Sequence, residues 1–269
     1  MNNRRGINYG NWVSASMMRL WIAITLIFTI LCITSFSYFT TIWPASVQWG
    51  IRGILIVLTM GSLLVTIYFF ICRCLFSYKG KSKIQSKILD YVLSYLKFDH
   101  GQILDIGCGN GAFAIKVAKK FPNSIVTGVD YWGTVWNFAK EQCDTNAKLE
   151  GVSNQITFQK GDAANLEFPD EYFDGAISNF VFHEVNSQPD KQQVVREALR
   201  VVKKGGFFAF HDLFFEEKFY GNIGNFVEQL KSEGICEIHL IYSKDEKFIP
   251  RILKTRFMLG RIGLIYGIK

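Results

Sequence analysis

Residues 20–43 run for 24 positions without a charged side chain, and residues 54–71 repeat the pattern over 18. A helix of about 20 apolar residues crosses the hydrocarbon core of a bilayer. The two runs predict transmembrane helices over residues 20–43 and 54–75, joined by a short turn at 44–53. Trp12, Trp21, Trp43, Trp49 and Tyr78 mark their edges, where aromatic rings sit at the headgroups. A cleaved signal peptide has a shorter apolar stretch and no second run behind it. A helix pair buried in a water-soluble protein carries a polar stripe, which neither run has. Arg73, near the end of the second run, is placed to snorkel toward headgroups.

The net charge of +7 is unevenly spread: residues 1–75 hold five arginines and no acid. Arg4, Arg5 and Arg19 precede the first span, the turn holds only Arg52, and Lys79, Lys81, Lys83 and Lys87 follow the second. The positive-inside rule then puts both termini in the cytoplasm and residues 44–53 outside. Residues 88–243 carry 14 basic and 21 acidic side chains, the wrong sign for a nucleic-acid partner. None of the six cysteines forms a C-x-x-C pair, and the four histidines do not cluster with them. Neither a metal site nor a disulfide framework is predicted.

Behind the anchor the pattern changes to alternating helix and strand. Ile84, Ile88, Leu89, Val92 and Leu96 recur at helical spacing, which predicts a helix over 82–98. Strands are expected at 102–106, 124–129, 156–159, 173–178, 207–210, 236–242 and 262–268. Helices are expected at 111–121, 134–149, 190–202 and 223–232. This alternation describes an α/β domain, a Rossmann-like, seven-stranded and mostly parallel sheet with helices on both faces. The last two strands have no helical pattern between them, so they pair antiparallel. Residues 1–78 are assigned to the anchor and 79–269 to the α/β domain.

The first strand runs straight into Gly107-Cys108-Gly109-Asn110-Gly111 and opens a helix. Glycines there let the backbone turn sharply and approach a ligand. Asp105 lies two residues before the first glycine, Asp130 ends the next strand, and Asp162 follows the third. An acid at the second strand end is placed to grip a ribose diol.

With these features the chain resembles the class I S-adenosylmethionine-dependent methyltransferases, from residue 87 to 269. "ILDIGCGNG" is similar to their first motif and "VTGVDY" to their second. "FQKGDAANLEFPDEYFDGAISNFVFHEV" resembles their third-to-fourth strand region, and "EALRVVKKGGFFAFHD" the segment around the fifth strand. The likeness is nearest to the ubiquinone/menaquinone-type and other small-molecule enzymes. It implies S-adenosylmethionine as cofactor, with the methionine portion against Gly107, Gly109 and Gly111. It further implies Asp105 near the ligand's ammonium, Asp130 on the ribose and Tyr131 against the adenine. Asp162 and the Ala163 N–H then read the adenine edge, and Asn179 faces the sulfonium. Two departures bear on the acceptor pocket: Tyr131-Trp132-Gly133 replaces a polar residue after the ribose acid, and residues 180–185 are bulky and aromatic. The fourth strand reads Ser178-Asn179-Phe180-Val181, without the signature of adenine-N6 DNA methylation.

Methyl transfer from a sulfonium needs a base only if the nucleophile must lose a proton. His183 and His211, on the loops after the fourth and fifth strands, are the candidate catalytic residues; Glu184 and Asp212 lie beside them. Residues 244–269 carry seven basic and two acidic side chains, and the connection at 243–259 is apolar as well. That suits an amphiphilic acceptor or the bilayer surface. The expected function is methylation of a small molecule, hydrophobic or lipid- and quinone-like, by a membrane-anchored enzyme. The alternative is a non-catalytic S-adenosylmethionine-binding scaffold in the membrane, which has no need of an intact glycine loop and three acids.

Overall fold

The computed structural model describes residues 6–38, 43–78, 80–98, 100–132 and 139–269. Arg4, Arg5, Lys79 and residues 134–138 of the expected helix 134–149 lie outside the described residues. The chain divides into two compact units, Asn11–Gln85 and Met1–Gly10 with Ser86–Lys269.

The first unit is built on two helices, α1 (Ala15–Tyr38) and α2 (Ala45–Phe76), each long and apolar enough to cross a membrane. Their outer faces leave side chains such as Ile33, Val57 and Leu64 more than half exposed. Between them, the hydroxyls of Thr25 and Thr66 lie 3.0 Å apart, and the rings of Trp21 and Phe69 stack. The expected turn at 44–53 is much shorter, because α2 starts at Ala45. Gly50 and Gly53 read as turn residues, yet the helix runs through both of them. Arg52 is therefore a helical residue, 7% exposed, and its guanidinium donates to Ser35 O near the end of α1. Arg73 does not reach outward; it donates to Val13 O within the same unit.

The second unit carries one sheet. α3 (Ile84–Ser94) leads into β1 (His100–Ile106), α4 (Ala112–Lys120), β2 (Asn123–Asp130), α5 (Lys140–Leu149), β3 (Ile156–Lys160) and β4 (Phe173–Asn179). Then follow α6 (Lys191–Arg200), β5 (Val202–Asp212), α7 (Glu217–Tyr220), α8 (Ile223–Ser232), β6 (Glu237–Ile241) and β7 (Gly263–Ile268). The strand order is β3-β2-β1-β4-β5-β7-β6, and β7 runs antiparallel to both neighbours. The order reverses between β1 and β4, which opens a crevice outside their carboxyl ends. One buried face packs Phe173, Phe208 and Phe210 against Val194 and Val195 of α6 and Phe226 of α8.

Several boundaries differ from the sequence reading. α3 stops at Ser94, short of 98. β5 spans 11 residues rather than the expected four, because Gly205 and Gly206 sit inside the strand, with Gly205 N donating to Lys269 O. Residues 6–10, assigned with the anchor, belong to the sheet unit, where Asn8 and Tyr9 hydrogen-bond to residues on and just after α5, while residues 80–85, assigned to the α/β domain, fall with the helix pair.

Candidate functional site

In the loop 107–111 four backbone N–H groups have partners within the fold. Gly107 N and Cys108 N both donate to Val129 O, at 2.7 and 3.1 Å. Gly109 N donates to Asp130 Oδ2 at 2.8 Å, and Gly111 N closes a turn on Cys108 O. Gly109 O accepts from the Trp132 indole at 2.9 Å, and Asn110 O from Asn146 Nδ2 at 2.9 Å. Gly107, Gly109 and Gly111 all have left-handed φ, between 57° and 78°. At Gly107 a side chain is excluded twice over, since its Cβ would lie 2.1 Å from Val181 Cγ2. At Gly111 it would press on the Phe158 ring. The conformation is thus fixed by the sequence before any ligand arrives.

Asp105 faces inward. It is 1% exposed, and its Oδ2 accepts from Ala114 N at 2.9 Å, capping the third residue of α4. Burial pushes its carboxyl up to about 7, against the pull of that N–H and helped by the Asp130 charge. It supports the loop rather than facing open space. Asp130 holds two backbone N–H groups, Gly109 through Oδ2 and Trp132 through Oδ1 at 2.7 Å. Burial raises its carboxyl despite the N–H groups of Trp132, Gly109 and Tyr131. A carboxylate has about four acceptor sites, so acceptor capacity remains for a hydroxyl donor.

Asp162 is two residues past β3; its Oδ1 accepts from Ala164 N at 2.9 Å, and Ala163 is buried. Gly161 N bonds to Asp130 O, so the β2 and β3 ends share one edge. Asn179 closes β4 beside the loop, as Ser178 is in register with Ile106. Tyr131 is 65% exposed, its ring over the Lys160 ammonium. The structure therefore brings Gly107, Gly109, Gly111, Asp130, Asp162 and Asn179 to the strand ends around one crevice. Asp105 lies beneath it and Tyr131 at its rim.

The two histidines are opposite in character. His183, on the 3-10 turn Phe182–Glu184, has Nδ1 2.5 Å from Asp212 Oδ1 and Nε2 3.4 Å from Glu184 Oε1. Burial pulls its ionisation down, but the two carboxylates outweigh that and lift it to about 10. It is an imidazolium near neutral pH. His211, on β5, is 1% exposed, and burial holds it down to about 4, so it is neutral. Its Nδ1 lies 3.0 Å from Asn179 Oδ1, while Nε2 is buried without a hydrogen-bond partner. The rings of Phe180 and Tyr91 flank it.

The apolar connection at 243–259 is mostly packing: Ile249 and Leu253 are buried, and Phe248 sits against Tyr91. Phe257 alone of that set projects, 89% exposed. Sequence reasoning missed two residues that shape the loop. Trp132 reads in the sequence only as a departure from the family pattern, and Asn146 belongs to no motif. The signal for Asn146 was a polar pair, Gln142 and Asn146, spaced i, i+4 on the face that Cys143 and Ala147 mark as buried.

Residues 104–210 match the methyltransferase domain family. An arsenite methyltransferase of Aquipseudomonas alcaligenes is 36% identical over 124 residues, 45% of this chain and 35% of that protein. A sterol 24-C-methyltransferase of Gibberella zeae is 33% identical over 114 residues, 42% of this chain and 28% of that one. The matched segment thus spans about a third of the length of these curated relatives. Among solved structures, the [4+2]-cyclase SpnF aligns with a TM-score of 0.50 and 20% identity, covering 68% of this chain and 78% of that chain. That likeness speaks for the fold alone. Residues 104–210 are therefore similar to a methyltransferase domain, and the sheet unit shares the fold of that solved neighbour.

Proposed function

We propose that this chain is a membrane-anchored enzyme that transfers the methyl group of S-adenosylmethionine to a small hydrophobic or amphiphilic acceptor. The observation that carries the reading is the loop 107–111, left-handed at three glycines and tied to Asp130, inside the segment that matches the methyltransferase domain family. The donor set suits the cofactor's chemistry. Asp130 has acceptor capacity for a ribose hydroxyl, and Asp162 for an exocyclic amine. Asn179 offers an amide at the sulfonium side, and Tyr131 a ring at the rim. Asp105 acts by holding the start of α4 under the loop.

When bound, the cofactor supplies an activated methyl group, so the protein's share is positioning and exclusion of water. His183 is charged and cannot take a proton near neutral pH; it orients an acceptor and favours one with developing negative charge. His211 is neutral, with Nε2 facing no partner, and is the base candidate where the acceptor must lose a proton.

The anchor reading rests on α1 and α2 and on the excess of arginine and lysine at their far ends. Both termini then face the cytoplasm. Isothermal calorimetry of the detergent-solubilised chain with S-adenosylhomocysteine tests the cofactor reading. No binding by the folded protein would reject it. Extraction of membranes incubated with methyl-labelled cofactor tests the acceptor. Label confined to water-soluble products would reject a lipid-like one. Binding without any labelled product would favour the scaffold.

A further inference from the structure

Asn146, on α5, uses its whole amide at once and is fully buried. Its Nδ2 donates to Asn110 O of the loop and to Asn8 O, both at 2.9 Å. Its Oδ1 accepts from Asn8 N and from Gln142 Nε2, also both at 2.9 Å. Asn8 thus meets the side chain with its N–H and its C=O together, as one strand residue meets another. The same segment is held at two further points: Gln142 Nε2 donates to Gly6 O at 3.4 Å, and Tyr9 Oη to Glu150 Oε1 at 2.8 Å. Glu150 is also paired with Lys119 of α4, and these partners keep its carboxyl below the usual range.

We propose that residues 6–10 help to order the glycine loop and that Asn146 is the positioning residue that ties them to it. Asn110 O belongs to the peptide that links Asn110 to Gly111, a left-handed residue at the start of α4. Fixing that carbonyl fixes the plane of the peptide, and with it the direction of the loop. A buried amide with four satisfied bonds holds this geometry well, but loss of its Asn8 partners leaves one N–H unpaired in the interior and Oδ1 with Gln142 alone. The segment far from the glycine loop in sequence is therefore a determinant of its order. This goes beyond the cofactor reading and rests on it only where affinity is concerned.

Asn8→Pro in the full chain removes the N–H that Asn146 accepts while leaving the sheet untouched. Two readouts separate the questions. Hydrogen exchange, followed by mass spectrometry without ligand, should speed up about tenfold at residues 107–111 and remain unchanged in β4 and β5. Affinity for S-adenosylhomocysteine should fall about tenfold, the effect of one buried hydrogen bond. A deletion of residues 1–9 should reproduce both effects. Unchanged exchange at 107–111 in both variants overturns the inference, whatever the wild type binds. Faster exchange spread over β4 and β5 also overturns it, since Asn146 would then serve stability alone. Faster exchange confined to the loop, in a protein that binds no S-adenosylhomocysteine, upholds it and rejects the cofactor reading instead.

Discussion

His183 Nδ1 lies 2.5 Å from Asp212 Oδ1, and the backbone N–H of His183 points at the other oxygen of the same carboxylate, 3.3 Å away. One buried acid at the end of β5 thereby holds both the ring and the main chain of the turn that follows β4. Full burial pushes the Asp212 carboxyl up, but the imidazolium and the hydrogen bonds hold it below the usual range. The folded ionisation of His183, about 10, stands above its ordinary value. Its contribution to stability is thus complete below about pH 6.5 and is lost as pH rises through about 10. Asp212→Asn should cost about 3 kcal/mol near pH 6, the penalty for stranding one member of a buried pair. The gap to wild type should narrow as pH approaches 10. Unfolding curves of the two proteins across that range check this, and a gap independent of pH would show that the ring is neutral in the fold.

Gly107→Ala should damage the loop through two separable effects. The new Cβ would lie 2.1 Å from Val181 Cγ2, and φ is +73°. A loss of about 2–4 kcal/mol is expected. Adding Val181→Ala removes the two methyl contacts, leaving only the Val181 Cβ at 2.8 Å, but not the backbone strain, so the double variant should regain part of the stability and stay at least about 1 kcal/mol below Val181→Ala alone. Thermal unfolding of the three proteins measures this. Full recovery would mean that the left-handed backbone costs nothing here.

Asp130→Asn keeps size and loses charge. Gly109 N and Trp132 N then compete for one remaining acceptor oxygen, and any ribose diol loses a charged partner. Affinity for S-adenosylhomocysteine should fall by about 1–3 kcal/mol. Calorimetry decides; an unchanged constant in a folded variant would remove Asp130 from the ligand site.

Strands β1 to β4 and helices α4, α6 and α8 were legible because their apolar spacing and their glycine or asparagine punctuation agree. The site's acids were legible because strand ends are where an α/β sheet puts its ligands. What escaped was set by tertiary bonds. Gly205 and Gly206 look like a helix stop, yet backbone pairing with Lys269, just past β7, draws them into β5. Asp105 reads as a ligand group until Ala114 N claims it. Nothing in the sequence near Asn8 announces that a buried amide 138 residues away is waiting for its peptide.

The helix pair makes a topological prediction. Ser46 lies in the first turn of α2 and Ser153 between α5 and β3, and both are exposed. Single cysteines at these positions, with reactive native thiols removed, should label from opposite sides of an intact membrane. Ser153→Cys should react only after permeabilisation. Arg52→Leu strips Ser35 O of its guanidinium donor at the end of α1, and Phe36 and Trp49 of the cation between their rings. The hairpin should become less resistant to proteolysis, with the labelling pattern kept. Same-side labelling of the two positions would reject the hairpin as a pair of spans.

Phe257 makes the last prediction. It is 89% exposed, in a stretch where Arg251, Arg256 and Arg261 are exposed as well. Arg256 is paired with Glu216 at 2.9 Å, which leaves the neighbouring arginines to set the local charge. An exposed aromatic side chain in a segment with exposed arginines is poorly suited to water and well suited to an anionic lipid surface, where each near-surface basic residue contributes about 1 kcal/mol. Burying the ring adds about 1.5–3 kcal/mol. Since Ile249 and Leu253 are already packed inside, Phe257 is the part of the connection left to make that contact. A spin label at position 257, with Cys74 and Cys236 changed to serine, should gain oxygen accessibility in anionic vesicles and lose it when the lipid is uncharged. Phe257→Ser should slow turnover of a vesicle-borne acceptor several-fold and leave S-adenosylhomocysteine affinity as it was, because the residue lies outside the cofactor loop. Water-like accessibility in both kinds of vesicle would sink the idea that this loop touches the bilayer.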